Sequence, residues 1–250
     1  MQSFINRRAA LLGSVALGFF ALSARAAPRT DDEIKDDWPW IGRYAPENRA
    51  LYDSGEPVDV VFMGDSITEN WKKLNPAFFG KGWVCRGISG QTSPQMVLRM
   101  ASDVIALKPK LVHILAGTND IAGNTGPMTL DMTLSNVRAM AAIAQDAGIA
   151  VLLGSVPPAL QFGWRPGSRP AEKIRDLNKL LKAFAEERGF GWIDYHAALD
   201  DGAGGLRSEL SKDGVHPNLA GYKIMEDLAV PAIQQSLKKT NRGRPKKHSR

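Results

Sequence analysis

The stretch Val58-Asp59-Val60-Val61-Phe62-Met63-Gly64-Asp65-Ser66 decides the fold class that this sequence predicts. Residues 58–63 are mostly apolar, rich in valine and bounded by Pro57 and Gly64, which is typical of a short buried β-strand. A strand that is apolar on both faces favours a parallel sheet. The polar Asp65 and Ser66 follow directly, at the strand end where such sheets hold their working residues.

The same rhythm continues outward along the chain. Four further short apolar segments predict strands at residues 84–88, 111–115, 149–153 and 190–193. Longer segments predict helices at residues 94–107, 130–147, 171–188 and 219–237. Alternating strands and helices imply crossover connections, so we expect an α/β fold: one three-layer α/β/α, doubly wound domain with a five-stranded parallel sheet.

Residues 1–26 have the pattern of a removable signal peptide. Arg7 and Arg8 give a positive start, residues 9–22 are uncharged and mostly apolar, and Ala24-Arg25-Ala26 fits a cleavage site. A run of 14 residues is short for a membrane span, although an uncleaved anchor is the alternative. We expect an exported protein, periplasmic or extracellular, without a stable membrane span; the arginine pair suggests the twin-arginine route and leaves the general secretory (Sec) route open.

The formal net charge of +6 comes from the two ends of the chain. Residues 1–26 and 238–250 hold ten of the 32 basic residues and no acidic ones, so residues 27–237 carry 22 basic against 26 acidic residues. We expect residues 238–250 to be a disordered basic tail. Its contact with a DNA minor groove is the alternative, but no recognition element accompanies it, so nucleic acid is not an expected partner.

Several classes of site are excluded by what the sequence lacks. A single cysteine, Cys85, allows neither an internal disulfide nor a cysteine-rich metal site. Glycine-rich dinucleotide and phosphate loops, the His-Glu-x-x-His zinc motif and the Gly-x-Ser-x-Gly elbow do not occur. We therefore predict no metal and no organic cofactor.

We expect one domain of residues 27–237. Its first part, residues 28–55 with Trp38 and Trp40, is expected to form an irregular arm that wraps around the rest of the domain.

Small and polar residues follow each predicted strand. They are Gly64-Asp65-Ser66-Ile67-Thr68, Gly87-Ile88-Ser89-Gly90-Gln91-Thr92 and Gly117-Thr118-Asn119-Asp120, joined near the C-terminus by Asp213-Gly214-Val215-His216-Pro217. A pocket is expected where they meet.

A serine nucleophile needs a base, and the base needs orientation. Of the four histidines, His113 lies inside a predicted strand, His248 lies in the tail and His196 is a weak candidate. His216 stands three residues after Asp213, a spacing that suits a carboxylate–imidazole pair but equally suits a surface turn.

These four segments, in this order, resemble the blocks of the SGNH hydrolases, the GDSL-type esterase and lipase family. The resemblance runs from about Val58 to His216. It implies a flavodoxin-like fold and a serine ester hydrolase in which Ser66 is the nucleophile, His216 the general base and Asp213 its orienting acid. It further implies an oxyanion hole made by the backbone N–H groups of Ser66 and Gly90 and the side-chain amide of Asn119.

The expected substrate follows from the compact domain and from residues 157–170. In this loop Trp164 could stack on a sugar and Arg165 could hold an acidic group, although Trp164 could also only pack against Trp38 and Trp40. The segments around Gly90 and His216 also resemble the platelet-activating-factor acetylhydrolase-like branch, which implies small acyl groups. We expect an acetyl esterase acting on carbohydrate or small esters. The alternatives are a lysophospholipase or thioesterase and a non-catalytic glycan-binding domain.

Overall fold

The structure, a computed structural model, describes residues 29–80 and 82–243, with side chains through residue 239. Its strands are β1 Val60–Gly64, β2 Trp83–Gly87, β3 Leu111–Leu115, β4 Ala150–Gly154 and β5 Gly191–Ile193. Its α-helices are α1 Asp31–Asp36, α2 Ala45–Ser54, α3 Ser66–Leu74, α4 Ser93–Asp103, α5 Thr118–Ala122, α6 Leu130–Asp146, α7 Ala171–Arg188, α8 Tyr195–Leu199 and α9 Leu219–Gly243. Short 3-10 turns lie at Ile41–Tyr44, Pro76–Phe78, Ile105–Leu107 and Ser208–Leu210.

The five strands form one sheet in the order β2-β1-β3-β4-β5, and every pair is parallel. This is the flavodoxin-like order of a doubly wound sheet, so the predicted fold class is confirmed. The chain reverses its direction across the sheet between β1 and β3. Crevices for ligands form at the carboxyl ends of the strands on either side of such a reversal. Ser66 follows β1 by two residues and Asn119 follows the end of β3 by four, which puts both at this crevice.

Two apolar layers cover the two faces of the sheet because alternate strand residues point to opposite sides. On one face Val61 and Met63 of β1 pack with helices α4, α6 and α7. On the other face Val60 and Phe62 pack with α3, α8 and α9. All four side chains are fully buried, and each contributes roughly 1.5–3 kcal/mol through removal from water. The sheet thereby becomes a rigid platform for the loops at its carboxyl edge.

Several parts of the chain differ from the sequence-based expectation, including the short helices α5 and α8, which the sequence does not predict. The arm contains two helices, α1 and α2, because Thr30 and Glu33 form a capping box and Pro46 occupies the first turn of α2. Helix α3 was not predicted, although it begins at Ser66 itself. Helix α9 continues six residues past the expected end at 237, so the boundary of the tail lies later than predicted.

Residues 1–28 and 244–250, which include the predicted signal peptide and most of the tail, lie outside the described residues. Within the described residues, no helix is both long enough and apolar enough to cross a bilayer.

Candidate active site

The position of Ser66 is set by a tight turn from β1 into α3. Asp65 is the N-cap of this helix and accepts a hydrogen bond from the Ile67 N–H at 2.9 Å. A side chain at Gly64 would put its Cβ 2.1 Å from Thr68 Oγ1, and one at Gly87 would put its Cβ 2.3 Å from the Glu69 nitrogen. Glycine is therefore required at both positions, and it lets β1, β2 and α3 approach closely enough to present Ser66 at the sheet edge.

Ser66, His216 and Asp213 form a continuous hydrogen-bonded chain. Ser66 Oγ lies 2.8 Å from His216 Nε2, and His216 Nδ1 lies 2.7 Å from Asp213 Oδ2. This geometry gives the serine a base and gives the base an orienting carboxylate. With Nδ1–H donated to Asp213, the lone pair of Nε2 faces the serine hydroxyl, which is the tautomer that can accept its proton.

The Asp213 carboxylate is held by the turn that carries the histidine. Asp213 Oδ1 accepts hydrogen bonds from the backbone N–H groups of Val215 at 3.0 Å and His216 at 2.8 Å. Burial alone would raise the pKa of Asp213, but hydrogen bonds from the backbone and ring of His216 outweigh it and lower the pKa to about 2. The segment is thus a turn and a carboxylate–imidazole pair at once, and the carboxylate stays ionised at any physiological pH.

Two backbone N–H groups of the loops at this sheet edge, those of Ser66 and Gly90, are available as donors. Gly90 has φ +80°, and a Cβ at this position would enter open space rather than protein. In the part of the chain that the structure describes, the N–H groups of Ser66 and Gly90 have no hydrogen-bond acceptor. Free N–H groups at a loop and at a helix start are suited to stabilise negative charge on a substrate oxygen.

Asn119 is placed at the same edge, but its amide is not free. Asn119 Nδ2 donates to the backbone carbonyl of Gln91 at 3.0 Å and to Asp65 Oδ2 at 3.3 Å. The longer bond is the weaker one, because hydrogen bonds weaken beyond about 3.2 Å. Donation from Asn119 to a substrate oxygen therefore requires exchange of the contact with Asp65.

A residue that the sequence interpretation missed, Asn124, ties these parts together. Asn124 Nδ2 donates to the Gly90 carbonyl at 3.2 Å and to Asn119 Oδ1 at 2.8 Å. Asn124 Oδ1 accepts the indole N–H of Trp164 at 3.0 Å. An indole can only donate, so this bond fixes which atom of the Asn124 amide is oxygen and which is nitrogen. Asn124 Nδ2 donates to Asn119 Oδ1, so the oxygen of the Asn119 amide faces Asn124. The nitrogen of the same amide therefore faces Asp65 and Gln91.

Trp164 and Arg165, the two residues predicted to contact substrate, lie against Asn124 and Gly123 respectively. Trp164 is 41% exposed, stacks on Phe162 at a centroid distance of 5.0 Å and lies 6.3 Å from the His216 ring. Arg165 donates to the Gly123 carbonyl at 2.8 Å. Trp164 therefore borders His216, and its described ring contacts do not include Trp38 or Trp40. Its role and that of Arg165 in substrate binding stay predictions.

Asp65 is a buried carboxyl beside the nucleophile. Burial raises its pKa to about 7, against the opposing effects of the Ile67 N–H and the positive potential of His216. Its two oxygens contact the start of α3 and the amide of Asn119, so it holds the loop after β1 in place. Asp120 similarly accepts hydrogen bonds from Ser93 and Thr133 and ties α4 to α6.

His113, inside β3, is a packing residue rather than part of the site. His113 is fully buried, contacts the Tyr195 hydroxyl at 3.1 Å and has its pKa lowered to about 3 by burial. Over the described ranges, no group of three or more histidine, cysteine, aspartate and glutamate side chains is arranged to hold a metal ion.

Comparison with known proteins agrees with this geometry. The sequence profile of the GDSL-like lipase/acylhydrolase family matches residues 62–224, which begin in β1 and end after the histidine turn. The chain belongs to the GDSL-like lipase/acylhydrolase family. This GDSL domain is a carboxylic ester hydrolase of the serine type.

Individual relatives support the same assignment. The chain is 27% identical over 216 residues to an acetylxylan esterase of Xylanibacter ruminicola, covering 72% of this chain and 44% of that protein. It is 25% identical over 191 residues to esterase TesA of Pseudomonas aeruginosa, covering 71% and 89%. A GDSL-like lipase structure from Bacteroides thetaiotaomicron superposes with a TM-score of 0.75 at 43% identity, covering 79% and 98%. The GDSL chain thus spans less than half the length of the acetylxylan esterase. The narrower resemblance to the platelet-activating-factor acetylhydrolase-like branch stays a prediction.

Proposed function

We propose that this chain is an exported serine esterase that removes short acyl groups, acetyl above all, from carbohydrate through an acyl-Ser66 intermediate. The observation that carries the proposal is the Ser66–His216–Asp213 chain, with its 2.8 Å and 2.7 Å contacts. The similarity to an acetylxylan esterase supports the acetyl substrate, and the pattern of residues 1–26 supports export.

Acylation would use the atoms of this chain in order. Ser66 Oγ attacks the ester carbonyl carbon while its proton passes to His216 Nε2. The carbonyl oxygen becomes an oxyanion, which accepts hydrogen bonds from the N–H groups of Ser66 and Gly90 and from Asn119 Nδ2. The tetrahedral intermediate then collapses, and the leaving alcohol takes the proton from His216.

Deacylation repeats the same steps with water. His216 takes a proton from water as its oxygen attacks the acyl carbon, and the collapse returns that proton to Ser66 Oγ and releases acetate. Asp213 stabilises the imidazolium in both halves because it stays ionised.

The role of Asn119 in this scheme rests on the weak bond to Asp65. The oxyanion competes with Asp65 Oδ2 for one Nδ2 proton, and the 3.3 Å distance makes that contact easy to exchange. The other Nδ2 proton stays hydrogen-bonded to the Gln91 carbonyl, and this bond keeps the Asn119 amide in place.

Labelling with a fluorophosphonate probe tests the nucleophile. Wild-type protein should label, and Ser66→Ala should not; equal labelling of both would refute the proposal.

Release of acetate from a panel of acetylated polysaccharides, compared with hydrolysis of p-nitrophenyl esters from C2 to C12, tests the substrate. A preference for C8 or longer chains would instead favour a lysophospholipase or thioesterase. N-terminal sequencing of the exported protein tests cleavage, and a mature start at Met1 would contradict it.

A further inference from the structure

A cleft of about 860 Å³ opens beside the loop that follows β2. Residues 29–44, the first half of the arm, form one wall of the cleft, and Gly90 and Asn124 belong to the other wall. Ser66 and His216 do not line it. The cleft therefore begins at residues 88–91, called here the oxyanion loop because Gly90 is a proposed oxyanion donor, and leads away from the reacting atoms. Its volume lies within the range of about 300–1,000 Å³ that is usual for ligand pockets.

The walls of this cleft are fixed to one another. Gln91 Nε2 donates to the Pro39 carbonyl at 2.6 Å, and Gln95 Nε2 donates to the Trp38 carbonyl at 2.9 Å. Both glutamine side chains are more than nine-tenths buried. The arm therefore stands in a set position beside Gly90, and a ligand would find the cleft already formed.

Two tryptophans of the arm line the cleft. Trp40 has φ 55° and ψ 49°, a left-handed conformation that bulky residues rarely adopt because the side chain crowds the backbone. The guanidinium groups of Arg29 and Arg43 lie 4.9 Å and 5.8 Å from the centre of its ring. Backbone strain of this kind clusters at ligand sites, and an indole on such a backbone with two adjacent cations indicates a surface built for contact rather than for core packing.

The charge of the cleft is opposite to that of the domain. Arg29, Arg43 and Lys73 line it against a single carboxylate, Glu69. Residues 27–237, in contrast, carry 22 basic and 26 acidic residues. A local surplus of two positive charges in an acidic domain indicates an anionic ligand.

The one carboxylate is already engaged by the oxyanion loop. Glu69 Oε2 accepts the Ser89 N–H at 2.9 Å and also the Ser89 hydroxyl. Glu69 Oε1 lies 3.1 Å from Lys73 Nζ and 3.5 Å from Arg43. Burial opposes ionisation, but hydrogen bonds from Ser89 and Lys73 lower the pKa of Glu69 overall. The Arg43 guanidinium, held only loosely at 3.5 Å, keeps donors for a second carboxylate.

From these observations we infer that the cleft binds a uronic acid unit of the acylated glycan, with the sugar ring on Trp38 and Trp40 and its carboxylate at Arg43. This inference rests on the proposed function, since it places the non-reacting part of the same substrate beside Gly90. Arginine suits the task because its planar fork matches a carboxylate with two parallel hydrogen bonds.

Calorimetric titration of the Ser66→Ala protein tests the cleft without turnover. The two probes are xylotetraose that carries one glucuronic acid and unsubstituted xylotetraose. The acidic probe should bind at least tenfold more tightly, and this preference should shrink as sodium chloride is raised, because screening weakens an exposed ion pair.

Two variants in the same background locate the carboxylate. Arg43→Gln should reduce the preference about tenfold, and Lys73→Gln should reduce it less because Lys73 already pairs with Glu69. Arg188→Gln, at the far end of α7, is the matched loss of one arginine and should leave the preference unchanged. Because the comparison of the two probes needs no cleft variant, misfolding of Arg43→Gln would not prevent the test.

The outcomes separate this inference from the proposed function. Equal binding of the two probes, or no binding, in a protein whose wild type labels with fluorophosphonate would overturn the cleft inference and leave the esterase. Selective binding of the acidic probe without labelling of the wild type would support the cleft and refute the esterase. Displacement of the bound acidic probe by octanoate would overturn the inference in favour of an acyl-chain site.

Discussion

Replacement of Asn124 by alanine should slow catalysis without touching the catalytic triad. The variant removes the donors to the Gly90 carbonyl and to Asn119 Oδ1, at 3.2 Å and 2.8 Å. A neutral hydrogen bond contributes about 1 kcal/mol net, so the two together hold the proposed oxyanion donors with about 2 kcal/mol. If that energy is expressed in the transition state, kcat falls about thirtyfold. Outright loss of one donor, as in Asn119→Ala, should cost more, about 10²–10³.

Steady-state hydrolysis of p-nitrophenyl acetate is the assay. The oxyanion forms only in the transition state, so kcat should fall while KM stays near that of the wild type. Asn70→Ala is the control, since Asn70 lies in α3 and its side chain makes no hydrogen bond within the described part of the chain. A kcat of Asn124→Ala within twofold of wild type would refute the bridging role. A raised KM with unchanged kcat would show instead that Asn124 contacts substrate in the ground state.

Three further changes test the site and its support. Asp213→Asn should lower kcat/KM about 10³–10⁴-fold at pH 7.5, because an amide beside Nδ1 stabilises the wrong tautomer; a loss under tenfold would make Asp213 structural. Because burial raises the pKa of Asp65 to about 7, the native state holds a proton that the unfolded state has lost between about pH 4 and 7. Stability from this group therefore decreases as pH rises through that window, and urea unfolding of Asp65→Asn should show a smaller decrease; identical profiles would contradict the raised pKa. Arg99→Leu removes the ion-pair partner of the buried Asp103, at 2.8 Å, and should cost about 3–5 kcal/mol in urea unfolding, with partial recovery in Arg99→Leu/Asp103→Leu.

Local sequence patterns determine the regular elements most directly. Helix α7 and strand β3 match their predicted bounds, because a glycine ends α7 and because β3, in which four of five residues are apolar, is buried on both faces. The sequence does not predict helix α3, because Ser66 to Leu74 has a narrow apolar stripe directly after a strand. The sequence predicts an irregular arm because the helices of the arm are short and polar. A helix cap and contacts with distant residues stabilise them.

The candidate site was predictable where chemistry and local spacing coincide. Asp213 and His216 are three residues apart, so one turn can join them. Asn124 was not predictable in this way, because its partners, Gly90 and Trp164, are 34 and 40 residues distant and meet only through the loops of neighbouring strands. The cleft has the same origin, since the arm reaches Gln91 and Gln95 from more than 50 residues away.

The sequence by itself determined the alternation that makes a parallel sheet, the glycines that let Ser66 stand at its edge and the residue types that ester hydrolysis needs. Only the tertiary structure decided that Ser66 Oγ and His216 Nε2, 150 residues apart, lie 2.8 Å from each other. It alone also gave the Asn119 amide its present partners and put a positive cleft beside Gly90. The physical reason is that periodicity and turn chemistry act over a few residues, whereas the meeting of strand ends depends on how both faces of the sheet are packed.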